Sequence, residues 1–335
     1  MMLSATVTVL GAGSWGTALA LLLARNGHAV RLWGHDPQEV APLQQERENR
    51  LYLPGIPFPA SLAVGVDLEV AVADADWVLL ATPSHAYRAT LKRLRSVLQT
   101  TTGLAWATKG LEPGSGQFLH EVTIEVLGEC WPMAVISGPS FAGEVARCQP
   151  TAVTVAARSA DHAHKVARLL HGSNMRAYTS TDIIGVELGG AVKNVLAIAT
   201  GIADGLGFGA NARAALITRG LAEMTRLGLA AGGQRETFMG LAGVGDLVLT
   251  CTDNQSRNRR FGLAIGRGET ASAAFAAIGQ VVEGAATARE ALRLAQAYDV
   301  EMPITEQVDR VLHHGQDPRR AVEVLLARDL RSEVA

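Results

Sequence analysis

Lys193 lies in the run Glu187-Leu188-Gly189-Gly190-Ala191-Val192-Lys193-Asn194-Val195-Leu196. Read as a helix, the run continues so that Val192, Val195, Leu196, Ala199, Ile202, Ala203 and Leu206 form one apolar stripe. Most other positions are Ala or Gly, so the helix is expected to be buried nearly all round. Lysine is almost never fully buried without a partner, and positions 193, 200 and 204 share a face, which offers Lys193 the company of Thr200 and Asp204. Burial lowers a lysine pKa and a neighbouring carboxylate raises it, so the sum stays open, but such an ammonium suits general acid–base work in a cleft. The competing reading is a structural Lys–Asp pair. A second lysine, Lys109 in Thr108-Lys109-Gly110, follows a β-like run. It either reaches a crevice that takes an anionic substrate or is a solvated loop residue.

Asp246, in Gly243-Val244-Gly245-Asp246, precedes an apolar run and reads equally as a functional carboxylate or a turn residue, and Thr250 is open in the same way. In Asn254-Gln255-Ser256-Arg257-Asn258-Arg259-Arg260 a Ser N-cap is followed by a basic first turn. Cations are unfavourable at a helix N-terminus, so Arg257 makes sense beside a bound anion, with helix N–H groups and the Asn258 amide around a phosphate. The alternative is a solvated basic patch, and Arg259 and Arg260 require no more than that.

Gly11-Ala12-Gly13-Ser14-Trp15-Gly16 is weak by spacing alone, since a chain with 35 glycines yields about 0.4 such triplets by chance. Its position is what counts. It follows a strand and opens a helix, where glycines permit a tight turn and close approach of a dinucleotide pyrophosphate to the helix N-terminus. Asp36, the acid expected to hold a ribose 2′-hydroxyl, falls past the predicted strand end, whereas Arg31 and His35 could accommodate a 2′-phosphate. NAD and NADP are both open, and His35 also reads as an exposed loop histidine.

The elements that must position these groups alternate in the first half. Strands are expected at 6–10, 28–33, 77–82, 104–108, 133–137 and 151–157, with a helix at 14–26 closed by Gly27. Strands separated by helices predict a doubly wound parallel sheet. Beyond its carboxyl ends Gly11, Pro83, Lys109 and Gly138 should converge. From about residue 181 only helical patterns continue, at 186–206, 211–230, 257–267, 283–297, 304–313 and 318–329. The predicted division is therefore an α/β domain over 1–183 and an all-α domain over 184–335, with 52–59 an extended, proline-rich loop.

Composition narrows the function classes. A chain of 335 residues exceeds what one core usually holds, and 48% apolar against 19% charged residues argues against disorder. Thirty basic against 32 acidic residues leave a net charge of −2, with no basic field for nucleic acid. Cys130, Cys148 and Cys251 form no C-x-x-C pair and read as small buried hydrophobes in a reducing compartment. No histidine spacing suggests a metal. The first ten residues lack a basic n-region, and 18–24 is far short of a membrane span, so a cytoplasmic location without a membrane span is the expectation.

Taken with the glycine motif, several blocks resemble the bacterial-type NAD(P)-dependent sn-glycerol-3-phosphate dehydrogenases. They are Ala107-Thr108-Lys109-Gly110-Leu111-Glu112, Ser137-Gly138-Pro139-Ser140-Phe141-Ala142, Glu187 through Asn194, Gly201-Ile202-Ala203-Asp204-Gly205, Ile217-Thr218-Arg219-Gly220-Leu221, Gly245-Asp246-Leu247 with Ser256-Arg257-Asn258-Arg259, Val281-Val282-Glu283-Gly284, and Val300-Glu301-Met302-Pro303-Ile304. The resemblance implies a Rossmann-type N-terminal domain, an α-helical C-terminal domain and an active site between them. It implies reversible hydride transfer between NAD(P)H and C2 of dihydroxyacetone phosphate, giving sn-glycerol 3-phosphate for phospholipid synthesis, in a homodimer without metal. On its terms Lys193 is the general acid–base and Lys109 lies near the same oxygen. Gly138, Ser140, Asn194, Asp246, Thr250, Ser256, Arg257 and Asn258 would contact substrate. Gly11, Gly13, Ser14, Trp15, Gly16, His35, Lys109, Ala142, Arg257, Val281 and Glu283 would contact the dinucleotide. Many members carry an arginine where this chain has Gly34-His35, which keeps NAD against NADP open. The remaining alternatives are a dehydrogenase for a carboxylate-bearing hydroxyacid and a non-catalytic dinucleotide sensor.

Overall fold

Short β-branched runs punctuated by glycine build the first half, as the computed structural model, which describes residues 4–329, shows. The outer ends of the two predicted domains, 1–3 and 330–335, lie outside the described residues. The strands are β1 Thr6–Leu10, β2 Ala29–Trp33, β3 Leu62–Gly65, β4 Trp77–Leu80, β5 Gly103–Trp106, β6 Met133–Ser137, β7 Thr151–Ala156 and β8 Met175–Ser180. Between them run α1 Ser14–Arg25, α2 Pro37–Glu46, α3 Leu68–Val72, α4 Ser84–Leu94, α5 Leu119–Leu127, α6 Ala142–Ala146 and α7 Ala160–Leu170. The sheet order is β3-β2-β1-β4-β5-β6-β7-β8, so direction of growth reverses between β1 and β4, and a ligand crevice opens beyond Leu10 and Leu80.

Two features depart from the predicted sheet. Strand β7 runs antiparallel to β6; the intervening α6 has five residues, rises about 7.5 Å, and cannot carry the chain back along a full strand. The edge strands β3 and β8 were not expected, because Leu-Ala-Val-Gly is short and ends in glycine, and Met-Arg-Ala-Tyr-Thr-Ser lacks a clean apolar alternation. Segment 52–59 is a turn-rich loop closed by a bridge between Glu48 and Pro57. Cys251 is buried as predicted, but Cys130 and Cys148 are exposed, since both sit in loops at the rim of the sheet rather than on a core face.

Among the described residues no strand follows Ser180. The helices are α8 Ile183–Gly205, α9 Ala210–Ala230, α10 Arg235–Phe238, a π-helical turn Leu241–Gly245, α11 Asp246–Thr252, α12 Arg257–Gly266, α13 Ala271–Ile278, α14 Glu283–Ala297, α15 Pro303–His313 and α16 Pro318–Leu326. Short α10, the π turn, α11 and α13 go beyond the predicted set. Helix α8 is the axis of this half. It is long and apolar enough to cross a membrane, yet it is buried within the helical core. Its partner α12 lies backbone to backbone against it. A side chain at Gly201 would drive into the Arg259 carbonyl, one at Gly262 into the Ile198 carbonyl, and one at Gly205 would lie 2.5 Å from the Leu263 carbonyl. The glycines let the two backbones approach closely and exclude water between them.

Gly262→Ala should therefore force α12 outward and lower stability by about 1–3 kcal/mol. Thermal unfolding followed by circular dichroism measures this, and an unchanged Tm would refute the close crossing.

Candidate active site

The carboxylate of Asp246, 1% exposed, stands at the start of α11, where the π turn delivers it beneath α8. Its Oδ2 accepts from Lys109 Nζ at 2.7 Å and its Oδ1 from Lys193 Nζ. The Thr250 hydroxyl donates to the Asp246 carbonyl at 2.6 Å and lies 3.4 Å from Oδ1. Lys109 comes from the loop after β5 and also donates to the Gly138 carbonyl at 3.1 Å, an oxygen that accepts from Ser140 Oγ at 3.0 Å. Gly138 has φ +141°, and a Cβ there would sit 3.0 Å from Val153 Cα, so glycine is required. Lys109, Gly138, Ser140, Lys193, Asp246 and Thr250 thus meet beyond the strand ends.

Asp204 does not join them. It shares a face of α8 with Lys193, but eleven residues of helix separate them by about 16 Å, beyond side-chain reach. Asp204 instead pairs with Arg259 Nη2 at 2.6 Å and Arg213 Nε at 3.3 Å. Arg259 is accordingly a buried, ion-paired residue and no part of a solvated patch. Thr200 likewise turns away, its hydroxyl donating to the Ala197 carbonyl.

The electrostatics follow from two cations on one anion. Burial pushes the Lys193 ammonium down to about 7, Asp246 opposes that fall, and the charge of Lys109 adds to it. Burial alone would raise the Asp246 carboxyl, but the two ammonium groups outweigh it and hold the pKa below the usual carboxylate range. Two ammonium groups thus share one carboxylate, and Lys193 is the more deeply buried of the two.

A second cluster lies at the start of α12. Ser256 Oγ accepts from Arg259 N at 3.2 Å and caps the helix. Asn258 donates to Asn194 Oδ1 at 2.9 Å and accepts from Gly284 N at 2.9 Å, which locks α8, α12 and α14 together. Arg257 donates to Gln280 Oε1 at 3.2 Å; burial lowers its pKa, and the carboxylate of Glu283 opposes that. Arg260 is exposed. Gln280 carried no sequence signal, being a lone amide in a loop.

The crevice beyond β1 fits a dinucleotide. Gly11 has φ +114°, with the Ala81 carbonyl 2.8 Å from where its Cβ would be. A Cβ at Gly13 would meet nothing within 4 Å, which leaves open space at the N-terminus of α1. That helix has no acidic residue in its first turn, and the buried Trp15 Nε1 has no partner. These are the features a pyrophosphate requires. Across the crevice Glu283 Oε2 accepts from Ser84 Oγ at 2.9 Å and lies close to Gly110; burial raises its pKa, and Ser84 partly offsets the rise. Val281, just before Glu283, is exposed, and Ala142 opens α6. His35 is exposed at the end of β2. Arg31 is not available to a 2′-phosphate, because it faces α3, where it pairs with Asp74 and donates to the Ala71 carbonyl at 3.2 Å. Asp36 accepts from Gln38 N at 2.8 Å as the N-cap of α2.

Glu187 is a residue whose role the motif did not disclose. Its carboxylate accepts from His120 N at 3.0 Å and contacts His120 Nδ1 at 2.5 Å, tying α8 to the first turn of α5. A carboxylate in an apolar helix signals such a partner, although not its identity. Among the described residues no group of three or more His, Cys, Asp and Glu side chains could hold a metal.

Comparison with known proteins places this geometry among dehydrogenases. Residues 6–163 match the model of the NAD-dependent glycerol-3-phosphate dehydrogenase N-terminus, and residues 182–323 match that of its C-terminus. The glycerol-3-phosphate dehydrogenase (NAD(P)+) of Pseudoalteromonas translucida is 57% identical over 331 residues, 98% of this chain and 99% of that protein. The enzyme of the same name from Thioalkalivibrio sulfidiphilus is 59% identical over 327 residues, 98% of each. A crystal structure of glycerol-3-phosphate dehydrogenase from Coxiella burnetii is 51% identical, with a TM-score of 0.94 over 97% of this chain and 99% of that one.

Asp246→Asn leaves two ammonium groups against a neutral amide. The pH midpoint for acylation of Lys193 by an amine-selective reagent, read by peptide mass spectrometry, should fall by at least about one unit. An unshifted midpoint would show that Asp246 does not control this lysine.

Proposed function

The chain belongs to the NAD-dependent glycerol-3-phosphate dehydrogenase family and is an NAD(P)-dependent oxidoreductase acting on glycerol 3-phosphate, and we propose that Lys193 moves the proton at the substrate's 2-oxygen. The observation that carries this is the single buried carboxylate of Asp246 shared by Lys109 and Lys193. Bound in the crevice, the nicotinamide supplies a hydride to C2 of dihydroxyacetone phosphate or takes one from C2 of sn-glycerol 3-phosphate.

In reduction negative charge grows on the 2-oxygen, and the Lys193 ammonium donates its proton there; in oxidation the neutral amine accepts it. Lys109, held by Asp246 and the Gly138 carbonyl, is a fixed positive charge beside the same oxygen. Thr250 steadies Asp246, and Gly138 and Ser140 border the substrate from the sheet side. Arg257, with Ser256, Asn258 and Asn194, receives the phosphate, whose binding energy is converted into orientation of C2. A substrate bearing only a carboxylate would leave this basic pocket underused, which disfavours the hydroxyacid reading. A dinucleotide sensor would not need the lysine pair.

The glycine loop with Ser14 and Trp15 would hold the pyrophosphate, and His35 the adenosine end. Ala142, Lys109, Arg257, Val281 and Glu283 would line the remainder. The reading extends to a homodimer in the cytoplasm that supplies glycerol 3-phosphate for phospholipid synthesis. The unpaired cysteines support a reducing compartment, and equilibrium sedimentation tests the dimer.

Purified protein given dihydroxyacetone phosphate should oxidise NADPH and NADH, followed in parallel by loss of reduced-nicotinamide absorbance; no loss with either would refute the assignment. Lys193→Ala should lower kcat by about 10²–10⁴ with the NADPH Kd retained, and wild-type turnover would remove its role. With Lys193 near 7, reduction requires the ammonium and should fall as pH rises through that value, whereas oxidation should rise. Parallel profiles in both directions would contradict the proton assignment.

A further inference from the structure

Asn49, in the connection between α2 and β3, is 1% exposed and packs against the glycine loop. Its Nδ2 donates to the Ala12 carbonyl at 3.0 Å and to Thr17 Oγ1 at 2.8 Å, and its Oδ1 accepts from Tyr52 N at 3.2 Å. The Thr17 hydroxyl also lies 3.3 Å from the Ala12 carbonyl, so two donors converge on one oxygen. The Ala12–Gly13 peptide is trans, and a trans peptide points its carbonyl and its N–H in opposite directions. Holding the Ala12 carbonyl toward Asn49 and Thr17 therefore aims the Gly13 N–H away from them, and a Cβ at Gly13 would meet nothing within 4 Å.

Glycine makes this tether necessary. With no Cβ at position 13 the plane of the Ala12–Gly13 peptide can turn through the φ of Gly13, and the same freedom that admits the ligand would let the N–H turn away from it. Thr17, one turn into α1, reaches the carbonyl only at the long end of the hydrogen-bond range, so the buried amide of Asn49 is the stronger constraint.

We propose that Asn49 is a positioning residue for the dinucleotide, fixing the Ala12–Gly13 peptide so that the Gly13 N–H donates to the pyrophosphate. The proposal rests on the reading of the glycine loop as the dinucleotide site. Its hydrogen-bond partners Ala12, Thr17 and Tyr52 make no bond to either lysine, so the effect belongs to cofactor affinity and not to proton transfer.

The test is N49D, which keeps the volume and the acceptor for Tyr52 N but replaces both donors by carboxylate oxygens, together with T17V, which removes the second hydroxyl. Kd values of the free protein for NADPH and ADP-ribose, which carry the pyrophosphate, and for adenosine 2′-phosphate, which does not, are measured by fluorescence titration and competition. N49D should weaken NADPH and ADP-ribose by about tenfold, the worth of one hydrogen bond to a charged group, and leave adenosine 2′-phosphate unchanged. T17V should have the same signature, smaller. Unchanged affinities, or an equal loss for adenosine 2′-phosphate and the pyrophosphate ligands, would overturn the proposal by showing no role or only general damage to the loop. Wild-type protein without affinity for either NADPH or NADH would overturn the glycine-loop reading itself.

Discussion

Two ammonium groups and one carboxylate meet where water is largely excluded, and charge neutrality cannot be satisfied among them. An isolated buried cation is costly, and one anion offsets one cation. The excess is relieved by releasing a proton or by binding something negative. Both outlets suit an enzyme whose substrate is an anion and whose transition state builds charge on oxygen. The two lysines differ in their surroundings, since Lys109 also donates to the Gly138 carbonyl. Lys109 keeps two acceptors and some exposure, whereas Lys193 is deeper and has the carboxylate alone.

Bringing these three groups together demands close backbone contacts between the halves of the chain. Lys109 belongs to the sheet, Lys193 to the axial helix and Asp246 to a helix that begins only after a π turn. Gly190 lets α8 settle on the end of β6: a Cβ there would lie 2.8 Å from Ser137 Oγ and 3.6 Å from Lys109 Cγ. Polar ties then set the register. Glu187 holds the start of α5, Ser84 holds Glu283 at the start of α14, and Glu290 accepts from Gly114 N at 3.0 Å in the loop that carries Lys109. Each tie crosses from a sheet loop to the helical half, so the lysines approach Asp246 from elements that cannot shift independently.

Much of this was legible in the chain itself because the signals are local. β1, β6 and α14 fall on the residues predicted for them, since each is a strongly patterned run bounded by glycine, proline or a polar cap. What depended on distance through space was not legible. A shared helix face made Asp204 a plausible partner of Lys193, but periodicity carries no information on reach, and the true partner lies 53 positions away. The π turn was hidden because Leu-Ala-Gly-Val-Gly reads as a loop; it is helical because Gly243 packs against the backbone of Phe238, where a side chain would not fit. Arg259 looked like surface charge because its carboxylate belongs to another helix.

The adenosine end shows the same dependence on partners. Specificity between a 2′-hydroxyl and a 2′-phosphate needs an element that repels the wrong ligand as well as one that holds the right one. Asp36 would be the repelling group, but its carboxylate accepts from Gln38 N at the N-terminus of α2, where the helix dipole offsets its charge. Arg31 would be the attracting group, but its charge is met by Asp74 on the α3 side. With both of these charges engaged elsewhere, His35 stands exposed just past the end of β2. The charges read along this strand are thus met within the protein, Asp36 by the start of α2 and Arg31 by Asp74, so residue identity alone does not assign them to a ribose.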